Sequence, residues 1–218
     1  MSTPAKRHFE RVTAEQQNLK DAKHGHGQPT GDQYELMLMQ LQQHKQRLKD
    51  IQSQEQKAKV KAEILPEYEA YVKGVLESDS GLQDEVLLTI MVWRIDAGDL
   101  WGALDIAKYA LHHKLVTPER FNRDTATLIA EEVAEWALKQ DQPVDSSLLQ
   151  HTDHITVDQD MPDEVRAKLH KALGLSLEEK EPTEALRHFK RALELNDNSG
   201  VKKMIERVAR AIKNAADT

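Results

Sequence analysis

The chain has 218 residues, of which 39% are hydrophobic and 31% charged, with a net charge of −7 and no cysteine. The length allows one domain or one domain with appendages. Without cysteine there are no disulfides and no cysteine-based zinc or redox sites. No stretch approaches the roughly 18 apolar residues of a membrane span, and no signal-peptide core is visible, so we expect a cytoplasmic protein. Scarce aromatics among many Ala, Leu, Glu, Lys and Gln favour an all-α fold.

The charge is distributed unevenly along the chain. Residues 1–63 hold 11 Lys/Arg and 8 Asp/Glu, a balance of +3, whereas residues 64–218 hold 19 and 29, a balance of −10. A basic N-terminal arm is therefore a candidate contact surface for nucleic acid. A solvated polar tail explains the same charge equally well.

Residues 1–30 are predicted to be this arm, flexible and basic, with a short helix over residues 5–20 that a Gly-rich loop ends. His24 and His26 in that loop could touch a metal, but an ordinary polar loop is the favoured interpretation. The cations assigned to the arm are Lys6, Arg7, Arg11, Lys20 and Lys23.

Residues 31–65 are predicted to form one long pairing helix. Tyr34, Leu41 and Leu48 recur seven apart, and Ile51 takes a matching position. A long helix with one narrow apolar stripe needs a partner helix, either within the chain or from a neighbouring subunit. The second half of the helix carries a lysine stripe that is either a solvated face or a phosphate-contacting surface: Lys45, Arg47, Lys49, Lys57, Lys59 and Lys61.

Residues 66–140 are predicted to be a central helical domain organised on one hairpin. Two apolar helical segments flank Asp96-Ala97-Gly98-Asp99, where Gly98 can end one helix and Asp99 can cap the next. Thr117-Pro118-Glu119 predicts a helix start, and residues 126–139 predict an amphipathic helix. A third set of cations there would suit a helix-turn-helix: Lys108, Lys114, Arg120 and Arg123.

Residues 141–161 are predicted to be a polar linker, and residues 162–218 a C-terminal helical hairpin plus a terminal helix. A metal site in the linker, made of His151, Asp153, His154 and Asp158, is less favoured than plain polar sequence because its spacing matches no strong pattern. Gly174, followed by Ala185, Phe189 and Ala192, resembles the tetratricopeptide pattern.

No chemistry-bearing motif is recognisable in the chain. It contains no phosphate-binding loop, no G-x-G-x-x-G and no G-x-S-x-G motif. Acids gather near the central hairpin, where capping explains them better than a two-metal nuclease site. We therefore predict no catalytic residues, no metal site and no cofactor.

Several blocks resemble the small terminase subunit of cos-packaging temperate tailed myophages. The blocks cover nearly the whole chain and occur in the right order. They are residues 2–12, 83–94, 96–99, 102–104, 160–171, 200–203 and 205–207.

The resemblance implies a role in viral DNA packaging in the host bacterial cytoplasm. Such a subunit forms a ring-like homo-oligomer, recognises the cohesive-end (cos) site of phage DNA, and recruits and regulates the large ATPase–nuclease subunit that fills the procapsid. The arm and the lysine stripe are then the expected DNA-binding residues, and Tyr34, Leu41, Leu48 and Ile51 the oligomerisation residues.

Two other functions remain open. The family is often labelled "terminase, endonuclease subunit", so a metal-dependent endonuclease that cuts cos DNA itself is one alternative, although we place cutting in the large subunit. A helical-repeat scaffold for protein interaction is the other, and DNA binding with a steep salt dependence distinguishes it from the packaging role.

Overall fold

A computed structural model describes residues 3–25, 27–117, 123–140 and 144–216, and these residues are all-α. They form eleven α-helices and a short 3-10 helix at Leu65–Glu67, with no β-strand, which confirms the predicted fold class. No helix in these ranges has the length and hydropathy of a membrane span. The helices are α1 Pro4–Lys23, α2 Asp32–Lys49, α3 Gln54–Ile64, α4 Glu69–Ser78, α5 Glu85–Asp96, α6 Leu100–His112, α7 Thr125–Leu138, α8 Ser146–Thr156, α9 Asp163–Leu177, α10 Pro182–Leu195 and α11 Lys202–Ala216.

The chain divides into an N-terminal unit, residues 1–125, and a C-terminal unit, residues 126–218. Helix α5 is the centre of the N-terminal unit, because α2, α3 and α6 all pack against it. Leu87, Leu88, Ile90 and Met91 are fully buried on successive faces of this helix. A helix that is apolar all round must be covered on every side, and this explains its central place.

The predicted hairpin turn between α5 and α6 is confirmed. Helix α5 ends at Asp96, Gly98 takes a positive φ of 82°, and the Asp99 carboxylate accepts a hydrogen bond from the backbone N–H of Gly102 at 3.1 Å. Left-handed glycine and an Asp cap are local devices that need no distant partner, so the sequence alone specifies them.

The prediction of one long helix over residues 31–65 is wrong, because the chain breaks between α2 and α3. Helix α2 ends at Lys49, and Ser53 then caps α3 by accepting a hydrogen bond from the backbone N–H of Gln56 at 3.2 Å. A serine side chain competes for backbone donors and favours a new helix start over helix continuation.

The N-terminal arm is not a free segment, since most of it is helix α1 packed along α4. Ala14 of α1 is buried, and it lies beside Gly74 of α4, where an added Cβ would collide with the backbone carbonyl of Arg11. This close approach of two helices requires glycine. The predicted flexibility therefore does not hold for residues 4–23.

The predicted polar linker over residues 141–161 contains helix α8. Asp145 caps it by accepting from the backbone N–H of Ser147 at 3.0 Å, and Leu149 is fully buried. Thr152 and Thr156 are also buried, and each donates its hydroxyl to the carbonyl four residues earlier. Polar side chains that form hydrogen bonds within their own helix can be buried. The polar composition of this segment therefore did not indicate a loop.

The core of the C-terminal unit lies between α9, α10 and α11. Phe189 is fully buried against Gly174, and Val208 of α11 is buried in the same cluster together with Val201, the residue just before that helix. This establishes the predicted hairpin of α9 and α10 and the terminal helix. The likeness to a tetratricopeptide repeat stays a prediction.

Candidate nucleic-acid interface

The five cations assigned to the arm differ in how far they are neutralised. Arg11 forms an ion pair with Glu77 of α4, and Lys6 lies 3.6 Å from Glu10. Within the part of the chain that the structure describes, Arg7, Lys20 and Lys23 form no ion pair, and all three are exposed. These three are the arm positions that present unneutralised charge to a ligand.

Helices α1 and α4 form the walls of an open cleft of ≈ 400 Å³. Arg7, Arg11 and Lys73 line it together with His8, and Glu69 is the acid in the lining. Because Glu77 neutralises Arg11, the charge of this concave surface comes from Arg7 and Lys73 against Glu69, and this balance favours anions such as phosphate. The sequence did not predict Lys73 as part of this surface, because it lies 43 residues beyond residue 30, the end of the predicted arm.

Most of the lysine stripe on α2 and α3 is occupied in ion pairs. Lys45 bonds Glu85 at 2.7 Å, Arg47 bonds Glu63 at 3.2 Å, Lys59 bonds Glu55 at 2.5 Å and Lys61 bonds Asp96 at 2.5 Å. Lys45 and Lys61 thereby connect α2 and α3 to α5. Lys49 and Lys57 form no ion pair within the described ranges.

The positions predicted to mediate oligomerisation lie largely inside the subunit. Leu41 is fully buried, and Tyr34 and Leu48 are buried as well, while Ile51 is half-buried. Burial also raises the pKa of the Tyr34 hydroxyl to about 12. The same helix exposes two other apolar side chains, Leu36 and Met39, which are 52% and 56% accessible.

The third set of cations is only partly visible. Lys108 and Lys114 are exposed, the carbonyl of Arg123 accepts a hydrogen bond from the Thr117 hydroxyl, and Arg120 lies outside the described residues. The predicted helix start at 117–119 also falls mainly outside them. The next helix that the structure describes is α7, which agrees with the amphipathic segment predicted over 126–139.

The acids near the central hairpin have structural partners. Asp84 caps α5, Asp99 caps α6 and bonds Arg94 at 2.7 Å, and Asp96 bonds Lys61. In the described ranges no group of three or more His, Asp or Glu side chains could hold a metal ion, and this includes His24 and the α8 residues. His26 lies outside those ranges.

Asp84 is the one carboxyl that the N-terminal unit buries completely within the described ranges. Its oxygens accept hydrogen bonds from the Tyr71 hydroxyl at 2.6 Å and from the backbone N–H of Leu87 at 2.9 Å. Loss of solvation raises the pKa of Asp84 to about 6, although both hydrogen bonds favour the ionised form. Leu87 lies in the first turn of α5 and Tyr71 lies on α4, so Asp84 caps α5 and connects its start to α4.

Two imidazoles meet in the C-terminal unit. The Nδ1 atoms of His170 on α9 and His188 on α10 lie 3.0 Å apart, and burial lowers the pKa of each to about 4. Nearby arginines act in the same direction, Arg166 and Arg191 on His170 and Arg187 on both rings. At neutral pH the pair is uncharged, so one ring donates and the other accepts.

Helix α11 carries a basic surface that the sequence reasoning missed. Its fifteen residues include Lys202, Lys203, Arg207, Arg210 and Lys213 against the single acid Glu206. The helix was predicted from its apolar stripe, and its charge was hidden by the acidic balance of residues 64–218. Counting charge helix by helix would have found it.

Comparison with known proteins gives a consistent result. A family model described as the phage small terminase subunit matches residues 38–164. The chain is 43% identical to the "Terminase, endonuclease subunit" of Escherichia phage P2, over 98% of this chain and 87% of that relative. No solved structure matches the chain.

Proposed function

The chain belongs to the phage small terminase subunit family, which serves phage DNA packaging, and from this premise we propose that it recognises the cos site and recruits the large ATPase–nuclease subunit. In this role it regulates packaging into procapsids, as a homo-oligomer in the host bacterial cytoplasm. The observation that carries the proposal is the similarity to the P2 subunit along 98% of this chain, which takes in both units.

DNA contact by the N-terminal unit is supported by the cations that have no acidic partner. Arg7, Lys20 and Lys23 on α1 and Lys49 and Lys57 on α2 and α3 meet this condition within the described ranges. The other six predicted DNA-binding residues are ion-paired, and each would exchange a carboxylate for a phosphate. For the exposed cations Lys6, Arg47 and Lys59 the ion pair contributes only about 0–1 kcal/mol, so this exchange costs little, but the net gain in attraction is smaller than for an unpaired cation.

The test measures affinity for a cos duplex and a scrambled duplex between 50 and 200 mM salt. We expect tighter binding to cos than to the scrambled duplex. The slope of log K against log salt should become less steep by roughly one unit for each phosphate partner that Arg7→Gln, Lys20→Gln or Lys23→Gln removes. Charge substitution is preferable to deletion of residues 1–23, because deletion uncovers the α4 surface at Gly74. The companion variant Arg123→Ala reports on the third set of cations.

Recruitment of the large subunit is tested separately by co-purification of the two subunits. A chain that binds the large subunit but shows no salt-dependent DNA affinity would fit the scaffold alternative instead.

The endonuclease alternative is favoured by one observation, the name of the P2 relative. We propose that cutting belongs to the large subunit, since the acids around the central hairpin are engaged in caps and ion pairs. Purified chain is incubated with cos DNA in Mg²⁺ or Mn²⁺, and we expect intact DNA. Cleavage that persists through stringent purification and is abolished by substitution of a single acid would establish the alternative.

A further inference from the structure

Helix α11 has the highest net charge of the helices that the structure describes. Five Lys/Arg against one Glu make it +4. Helix α1, the predicted basic arm, also has five Lys/Arg, but three acids reduce it to +2. The strongest local concentration of positive charge is therefore in the C-terminal unit, although that unit is acidic as a whole.

The charges of α11 lie mostly on one side. At 3.6 residues per turn, Lys202, Lys203, Arg210 and Lys213 fall within an arc of about 100°. The opposite side holds Met204, Ile205, Val208 and Ile212, which pack into the core of the unit. Since the apolar side is already covered by the chain itself, this basic amphipathic helix has no free apolar face to insert into a membrane.

Little of this charge is neutralised. Arg207, at the edge of the arc, binds both oxygens of Glu178 at 2.7 and 2.6 Å. The other four cations form no ion pair within the described part of the chain, and Glu206 is the acid among them. We name these four, Lys202, Lys203, Arg210 and Lys213, the α11 basic face.

A further positive charge is fixed beside the start of α11. The Lys171 ammonium of α9 donates a hydrogen bond to the Ser199 carbonyl at 3.0 Å, and it lies near Gly200, two residues before the helix. The N-terminal end of a helix carries partial positive charge as well. Lys171 therefore adds a further positive charge to the α11 basic face at the N-terminal end of the helix.

We propose that the α11 basic face binds the phosphate backbone of duplex DNA, and this rests on the proposed function for its choice of DNA as the partner. Lys202 and Lys213 are eleven residues apart, about 16 Å along the axis. That is about half of the ~34 Å turn of a duplex, so the face can contact several phosphates at once. Such contacts position a protein on DNA without reading its sequence.

The experiment uses the full chain and two variants of equal charge change. Arg210→Gln with Lys213→Gln removes two cations of the α11 basic face. Lys180→Gln with Lys190→Gln removes two exposed cations elsewhere in the same unit. Affinity for cos and scrambled duplexes is measured by fluorescence anisotropy from 50 to 200 mM salt, with thermal unfolding as the check on folding.

We expect the Arg210/Lys213 variant to have a salt slope less steep by up to roughly two units on both duplexes, with the control variant unchanged. Lys202→Gln with Lys203→Gln, at the other end of the face, should give a similar decrease. The proposal alone is overturned if wild type binds DNA with a steep slope while both α11 variants match the control. Loss of large-subunit binding with unaltered DNA affinity overturns it in favour of a protein partner. Wild type without salt-dependent DNA binding refutes this proposal and the proposed function together.

Discussion

The ring of Phe189 on α10 lies directly against the backbone of Gly174 on α9, and a Cβ at residue 174 would overlap it. The ring is fully buried, so it has no free space in which to move aside. At this point α9 and α10 of the C-terminal unit approach so closely that only glycine fits at residue 174.

Gly174→Ala should therefore destabilise the C-terminal unit. Overpacking a closed core costs about 1–3 kcal/mol, whereas alanine gains only about 1 kcal/mol as the better helix former. We expect a net decrease in the free energy of unfolding, measured by urea denaturation.

A second substitution checks the cause of this decrease. If the ring is the obstacle, Gly174→Ala combined with Phe189→Leu should cost less than the sum of the two single changes, with a coupling of about 0.5–3 kcal/mol. Strict additivity would show that the two residues do not obstruct each other.

The buried carboxyl of Asp84 should make the N-terminal unit less stable as pH rises. Its folded-state pKa is raised to about 6 from the ordinary 3.8, so the folded protein holds the proton more tightly than the unfolded chain. The contribution is largest below pH 3.8, falls between pH 3.8 and 6, and then stays constant. A pKa shift of roughly two units corresponds to a change of about 3 kcal/mol in the free energy of unfolding.

Asp84→Asn is the matched variant, because an amide keeps the oxygen that accepts from Leu87 and carries no charge. Urea denaturation of both proteins is measured at pH 4, 5, 6 and 7. Relative to the asparagine variant, wild type should lose stability across this range. A difference that is independent of pH would show that folding leaves the pKa of Asp84 at its ordinary value.

The pair His170 and His188 should have the opposite pH dependence. The pKa of each is lowered to about 4 from the ordinary 6.5, so the unfolded chain binds protons more readily than the folded one. Their contribution to stability is complete above pH 6.5 and is lost as pH falls toward 4, with a slope of up to about 1.4 kcal/mol per pH unit for each ring.

Proton NMR of the imidazoles tests this directly. We expect both rings to stay neutral at pH 6, with His170→Gln and His188→Gln used to assign the two signals. Titration of either ring near pH 6.5 in the folded protein would contradict the buried pair.

Self-association through α2 should depend on its exposed apolar residues and not on its buried ones. Leu36→Glu with Met39→Glu is expected to reduce the oligomer mass measured by light scattering, because both side chains are about half accessible. Leu41→Asp should instead unfold the N-terminal unit, since it places a charge at a fully buried position.

The two variants therefore separate a subunit contact from an internal one. An unaltered oligomer mass in the Leu36/Met39 variant would place the subunit contact on another helix. If Leu41→Asp instead stayed folded but formed a smaller oligomer, the predicted oligomerisation residues, spaced seven apart, would be the subunit contact.

The sequence by itself determined the all-α class, the α5–α6 hairpin and the terminal helix. Each rests on local signals, such as helical spacing of apolar residues, the left-handed turn at Gly98 and the cap at Asp99. These devices act within a few residues, so no knowledge of the packing was needed to read them.

Only the tertiary structure decided which charges are available to a ligand. Arg11 is paired with Glu77, 66 residues away, and Lys61 with Asp96, 35 residues away, while Arg210 on α11 stays unpaired within the described chain. Whether a cation is neutralised depends on which helices pack together, and packing joins residues that are remote in sequence. Acidic side chains therefore neutralise many of the cations in the predicted arm and stripe. The most basic of the described helices, α11, lies in the part of the chain that is acidic as a whole.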